Sequence, residues 1–225
     1  MHVGDRTKET IDAGGIWPAF AGVLARDGYG GHTHLDHVPH AWCGAHLLRD
    51  LRSIHEGDPV GQSWAKAMAD TRLEAKAYAD QARAQGLEVL PPHKLARIRN
   101  HYLGALAHGR THNTARRGPL AEAARTLIGR FERHEDLILR FTTNLTVPFS
   151  NNPAERDQRP VKVQQRSSGG CWRTLARLAD FAVVQSYLST AGTWGRDKLT
   201  ALEDLFTTGA WLPPALTPAT AIAAA

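Results

Sequence analysis

Apolar side chains recur at helical spacing over most of the chain and mark off its elements. Across residues 60–86, Trp64, Met68, Thr71, Ala75, Tyr78 and Ala82 alternate steps of four and three between good helix formers, which predicts one long amphipathic helix. The spacing is that of a coiled coil, but it lasts barely about three heptads and includes Thr and Ala, so the helix reads as packed within its own domain. Pro91 and Pro92 end it, and Leu95, Ile98, Tyr102 and Leu106 predict a second helix over 93–112. A third runs unbroken from Pro119 to Leu145 with Leu120, Ala124, Leu127, Phe131, Ile138 and Leu145 along one stripe. Upstream, Leu47, Leu51 and Ile54 predict a helix from Cys43 onward. Downstream, Leu178, Phe181, Val184 and Leu188 predict one over 172–190, closed by Gly192. Short helices are expected in residues 7–20 and in DKLTALEDLFTTGAWLPP.

Strand signals are few. AGVLARDGYGG reads as a strand ending at Asp27, and Val38 to Trp42 as another. MHVGDR reads as the end of a strand, and VKVQQRSSGGCWR as a short extended stretch followed by a Gly-rich turn. The fold class is therefore α/β and mostly helical. Residues 1–58 and 148–212 form one part, residues 59–147 a helical insertion, and residues 213–225 a disordered tail.

Composition narrows the class without naming a function. With 225 residues, 42% of them hydrophobic, a real core is expected. No apolar run of about 18 residues occurs, and the N-terminus lacks a signal-peptide core, so a cytoplasmic protein with no membrane partner is expected. Cys43 and Cys171 are too few for a disulfide framework, and reduced thiols are expected. The net charge of +5 is uneven: residues 91–140 hold 10 basic and 4 acidic side chains, against 9 and 12 in residues 1–90. Arg97, Arg99, Arg116 and Arg117 in that stretch are candidates for binding DNA phosphates. A solvated helical face explains the same charge equally well.

Candidate chemistry gathers at two acids. Asn152 and Pro153 read as the cap and first residue of a helix, which puts Glu155 in the first turn, where the helix dipole favours a carboxylate able to bind metal. Arg156 and Arg159, three apart, share a face from which they reach phosphates. Asp27, at a strand's C-terminal end before glycines, sits where open sheets gather ligands. The plain alternatives are a capped surface helix and an Asp opening a Gly turn. Cys43 and His46 have C-x-x-H spacing near His32, His34, His37 and His40, but no second paired spacing appears, and a structural role is expected for both.

NNPAERDQRP resembles the C-terminal signature of insertion sequence 66 family transposases, Asn-Asn-x-x-Glu-Arg-x-x-Arg-Pro, matched here by Asn151, Asn152, Glu155, Arg156, Arg159 and Pro160. LARDGYGGHTHL is similar to that family's second catalytic block. Cys43, Ala45, His46 and Arg49 match its Cys-Trp-Ala-His-x-x-Arg, with Gly44 in place of the Trp. The resemblance implies an incomplete ribonuclease-H-like catalytic fold with a large all-α insertion between the second and third acids. It implies Asp27 and Glu155 as the second and third acids of a DDE triad, and Asn151, Asn152, Cys43 and His46 as structural neighbours of the site. It also implies magnesium or manganese in a two-metal site, DNA ends and target as partners, and a homo-oligomer in the transposition complex.

No residue fits the first acid: Asp5 lies too close to the second block, and Asp12 and Asp36 have no matching motif. The expectation is therefore a truncated transposase, inactive in isolation. The competing reading is a non-catalytic DNA-binding remnant or regulator using the basic 91–140 segment.

Overall fold

Leu24–Arg26 (β1) and His40–Trp42 (β2) pair in parallel, with Leu24 opposite His40 and Arg26 opposite Trp42. Parallel neighbours need a long crossover, and residues 27–39 supply it, with a 3-10 turn at Gly30–His32. Two strands of three residues are marginal alone; helices bury them. The computed structural model describes residues 7–13, 15, 17, 20–28, 30–167, 172 and 174–213. It divides into two compact units, one of Pro18–Asn152 and one of Met1–Trp17 with Pro153–Ala225.

In the Pro18–Asn152 unit the strands are followed by five helices: α2 (Gly44–Gly57), α3 (Ser63–Ala84), α4 (Pro92–Asn113), α5 (Pro119–Arg133) and α6 (Glu135–Thr143). Their apolar stripes meet as the spacing predicts. Leu47, Leu51 and Ile54 of α2 pack with Trp64 and Met68 of α3, Tyr102 and Leu106 of α4, and Leu127 and Phe131 of α5. A second cluster joins the sheet to the helices through Ala41, Ala75, Ala79, Ala82, Ile98, Phe141, Leu145, Val147 and Phe149. The alanines of α3 let the neighbouring backbones approach closely. Gly109 of α4 does the same, since a Cβ there would lie 2.6 Å from the Trp64 ring.

The third helix is not continuous. His134 adopts φ −124° and ψ 28°, which ends α5 and starts α6. Neither Gly nor Pro marks the break; His134 stacks on Trp42, with ring centroids 4.9 Å apart.

Arg72 of α3 is fully buried where an apolar residue would be expected. Its Nη1 donates to the Ile138 carbonyl at 3.1 Å, and the guanidinium lies 5.7 and 5.4 Å from the ring centroids of Phe141 and Phe149. Desolvation pushes its pKa down to about 10. The two aromatic faces supply attraction that a buried cation otherwise lacks.

The second unit contains α1 (Lys8–Ala13), α7 (Asn152–Ser167, the first residue of which closes the other unit), α8 (Leu175–Thr193) and α9 (Lys198–Thr207). The stretch VKVQQ is helical rather than extended, because α7 is already nucleated upstream and adding a residue to a formed helix costs little. Thr174 and Asp197 cap α8 and α9 by accepting from the amides of Arg177 and Thr200. The α8 helix passes Gly192 and turns instead at Gly195, whose φ is 75°. Val184 on its expected apolar stripe is half-exposed. The α1 helix is shorter than residues 7–20, and β2 shorter than 38–42. The expectations for MHVGDR and for the C-terminal tail fall outside the described residues.

A Cβ at Gly44 would lie 2.3 Å from the Phe149 ring, whereas one at Gly104, on the exposed side of α4, meets nothing within 4 Å. Gly44→Ala should therefore lower the unfolding free energy by about 1–3 kcal/mol, and Gly104→Ala should raise it by about 0.5–1 kcal/mol. Urea titrations of the two variants check both signs.

Candidate functional site

The C-terminal ends of the two strands place Arg26, Asp27, Trp42 and Cys43 side by side. The Cys43 amide donates to the Arg26 carbonyl at 2.8 Å and carries the ladder one residue past Trp42. Arg26 is buried; its Nε donates to His40 Nδ1 at 2.7 Å and its Nη1 to the Asp27 carbonyl at 3.1 Å. An arginine only donates, so His40 Nδ1 accepts and the ring's proton lies on Nε2, 2.8 Å from the Leu35 carbonyl. This chain of bonds fixes the backbone on which Asp27 is carried. Burial holds the Arg26 pKa below its ordinary value, with the Asp27 charge pulling upward.

Asp27 opens onto a cleft of about 20 Å³ lined by Arg26, Gly28, Trp42, Cys43, His46, Leu47, Asp50 and Arg130. That is room for about one water molecule. Asp50 of α2 and Arg130 of α5 form an ion pair at 2.7 Å. Trp42 is flanked by the Arg26 and Arg130 guanidinium groups, 5.9 and 5.6 Å from its ring centroid, and by the His134 ring.

Cys43 is a buried free thiol; Cys171 lies outside the described residues. The Cys43 Sγ accepts from the Asn151 amide at 3.5 Å, and the Gly44 amide donates to the Phe149 carbonyl at 2.7 Å. The segment entering α7 is thus pinned beside the end of β2. Phe149 fills the space above Gly44, which is how the chain packs without the tryptophan expected there.

Of the residues singled out in the sequence, Asp27, Cys43 and His46 share the cleft, and Asn151 joins them through Cys43. Asn152 follows, exposed, as the first residue of α7. Glu155 stands in the first turn of α7 in the other unit. Arg156 and Arg159 are exposed on that helix, and Asp157 between them accepts from the Ser189 hydroxyl of α8 at 2.7 Å.

The basic middle segment is largely engaged with neighbouring helices. Arg97 pairs with Glu74, Arg99 with Glu135, Arg110 with Glu132, and Arg116 with Asp58, while Arg117 is exposed in the loop before α5. The sequence reading missed Arg26, Trp42, Asp50, Arg130 and His134. No local pattern marks them; only the meeting of α2, α5 and the strand ends does.

Among the described residues no group of three or more His, Cys, Asp or Glu side chains is placed to hold a metal ion, and no helix is long and apolar enough to cross a membrane. A family model described as Transposase IS66 family matches residues 2–177. No curated protein and no solved structure matches the chain.

The imidazoles beside the cleft couple the fold to pH. Burial, and then the charge of Arg133, hold the His134 pKa below the usual histidine value; burial, and then Arg26, do the same for His32. Between each lowered value and the unfolded value of about 6.5 the unfolded chain binds more protons, so stability falls as pH falls through that interval. The melting temperature of the wild-type chain should therefore drop on acidification from neutral pH, and His134→Gln should drop less. Parallel melting curves for the two proteins would contradict this linkage.

Proposed function

Because the chain belongs to the IS66 family of transposases, we propose that it acts on DNA by metal-dependent strand cleavage and transfer, with Asp27 and Glu155 as two of the carboxylates of the site. The observation that carries the reading is the position of Asp27, at the C-terminal end of a parallel strand pair and open to a cleft that also holds His46 and Arg130. A ribonuclease-H-like catalytic fold, interrupted by the α3–α6 helices, belongs to the same reading. So does assembly of several copies on DNA.

Both acids offer oxygen donors, the type that magnesium and manganese take, and such ions are commonly bound by one or two carboxylates with water and substrate phosphates completing the shell. Asp27 and Glu155 would hold the cations, whose chemistry is to activate the attacking oxygen and stabilise the leaving one. The rest falls to the chain's own groups. The Arg26–His40 bonds hold the Asp27 backbone, Cys43 and Phe149 fix the entry to α7, and Arg156 and Arg159 offer guanidinium groups to DNA phosphates from the turn that carries Glu155.

A purely DNA-binding role for the basic 91–140 segment has less support. Arg97, Arg99, Arg110 and Arg116 are paired with acids of their own unit, which reduces the positive field they present to a phosphate.

Titration with manganese, followed by calorimetry, tests the catalytic reading on the full chain. Asp27→Asn and Glu155→Gln should each weaken manganese binding by about tenfold, or about 1.4 kcal/mol, while leaving affinity for DNA within about twofold. Unchanged manganese affinity in Glu155→Gln would remove Glu155 from the site.

A further inference from the structure

We propose that Arg130 is a DNA-phosphate ligand at the Asp27 cleft, held by Asp50 until a phosphate displaces that carboxylate. The inference rests on the catalytic reading above and adds to it a residue of the helical insertion that no motif assigns.

Three observations place Arg130 in this role. First, it lines the same cleft as Asp27 although it comes from α5, and its guanidinium lies 5.6 Å from the ring centroid of Trp42, the last residue of β2. Stacking against an aromatic ring holds the planar fork in one orientation while its donors remain available. The other guanidinium in the cleft, Arg26, is committed to His40 and the Asp27 carbonyl.

Second, the Asp50–Arg130 pair is only partly shielded, with side-chain exposures of 46% and 34%. A pair so placed is weak and readily exchanged. A phosphate brings greater charge and the same two-pronged geometry that arginine matches.

Third, the pair is the common wall of two spaces. On one side is the cleft of about 20 Å³ at Asp27. On the other is a groove of about 310 Å³ between α2 and α5, lined also by Ser53, Ile54, Ala123, Thr126 and Leu127. With the Asp50 carboxylate displaced, Arg130 still borders both spaces, and Ser53 and Thr126 line the larger one. None of Arg97, Arg99 and Arg116 lines either space.

The test is fluorescence anisotropy of the full chain with a short labelled DNA duplex over a series of salt concentrations. Arg130→Gln should weaken binding about tenfold and reduce the salt slope by about one. Asp50→Asn, which releases the guanidinium, should tighten binding about threefold, and the gain should vanish in the double variant Asp50→Asn/Arg130→Gln. Arg130→Lys should recover part of the affinity, and it stands in for Arg130→Gln if circular dichroism shows that variant unfolded. An ion pair that serves only the fold gives another result: Arg130→Gln binds like the wild type, or Asp50→Asn weakens binding as much as Arg130→Gln does. Either overturns the proposal. Wild-type chain that binds no DNA overturns the catalytic reading as well, whereas wild-type binding with unaltered variants overturns this inference alone.

Discussion

Two parallel strands of three residues cannot hold their own geometry, and the contact that holds it for them is the stack at Trp42. The ring receives His134, at the break between α5 and α6, and the guanidinium groups of Arg26 and Arg130 around it. The wall of the Asp27 cleft formed by Trp42 and Arg130 takes its position from this contact. The contact sets where α5 ends, where α6 begins, and where Arg130 reaches the end of the sheet. The helices are therefore a wall of the cleft as well as an insertion between two acids.

Charge is distributed unequally between surface and interior. Arg97, Arg99 and Arg110 of α4 and Arg130 of α5 are each paired with an acid on an adjacent helix, so a segment that is strongly basic by composition presents less net field. Inside, Arg72 donates to the Ile138 carbonyl and lies against the rings of Phe141 and Phe149. The same Phe149 ring covers Gly44, and Phe149 precedes the first residue of α7 by three positions. One aromatic side chain thus links the helical core, the N-terminus of α2 and the approach to Glu155.

Much of the helical architecture is legible in the sequence, because Leu47, Leu51 and Ile54, or Ile98, Tyr102 and Leu106, repeat at the period of a helix and are buried on that account. Both strands are also readable, from apolar residues running into Asp27 and Trp42. Three features are not. The break at His134 has no helix breaker to announce it, and its cause is a ring 92 positions earlier in the chain. Arg72 sits on the buried side of α3 in defiance of its type. The valines of VKV alternate like a strand but are too few to overcome a helix already under way. Asp27 and Glu155 themselves carry no local signal stronger than a turn and a capped helix, and only the surrounding motif distinguishes them.

Pro160 lies within α7, five residues beyond Glu155. Proline has no amide proton to give, so the carbonyl of Arg156 loses its intrahelical partner. The turn bearing Glu155 is joined to the remainder of the helix by one bond fewer than an uninterrupted helix would provide. The Ser189 hydroxyl of α8, donating to Asp157 two residues beyond Glu155, ties that segment to its neighbour where the helix's own bonding is thinned.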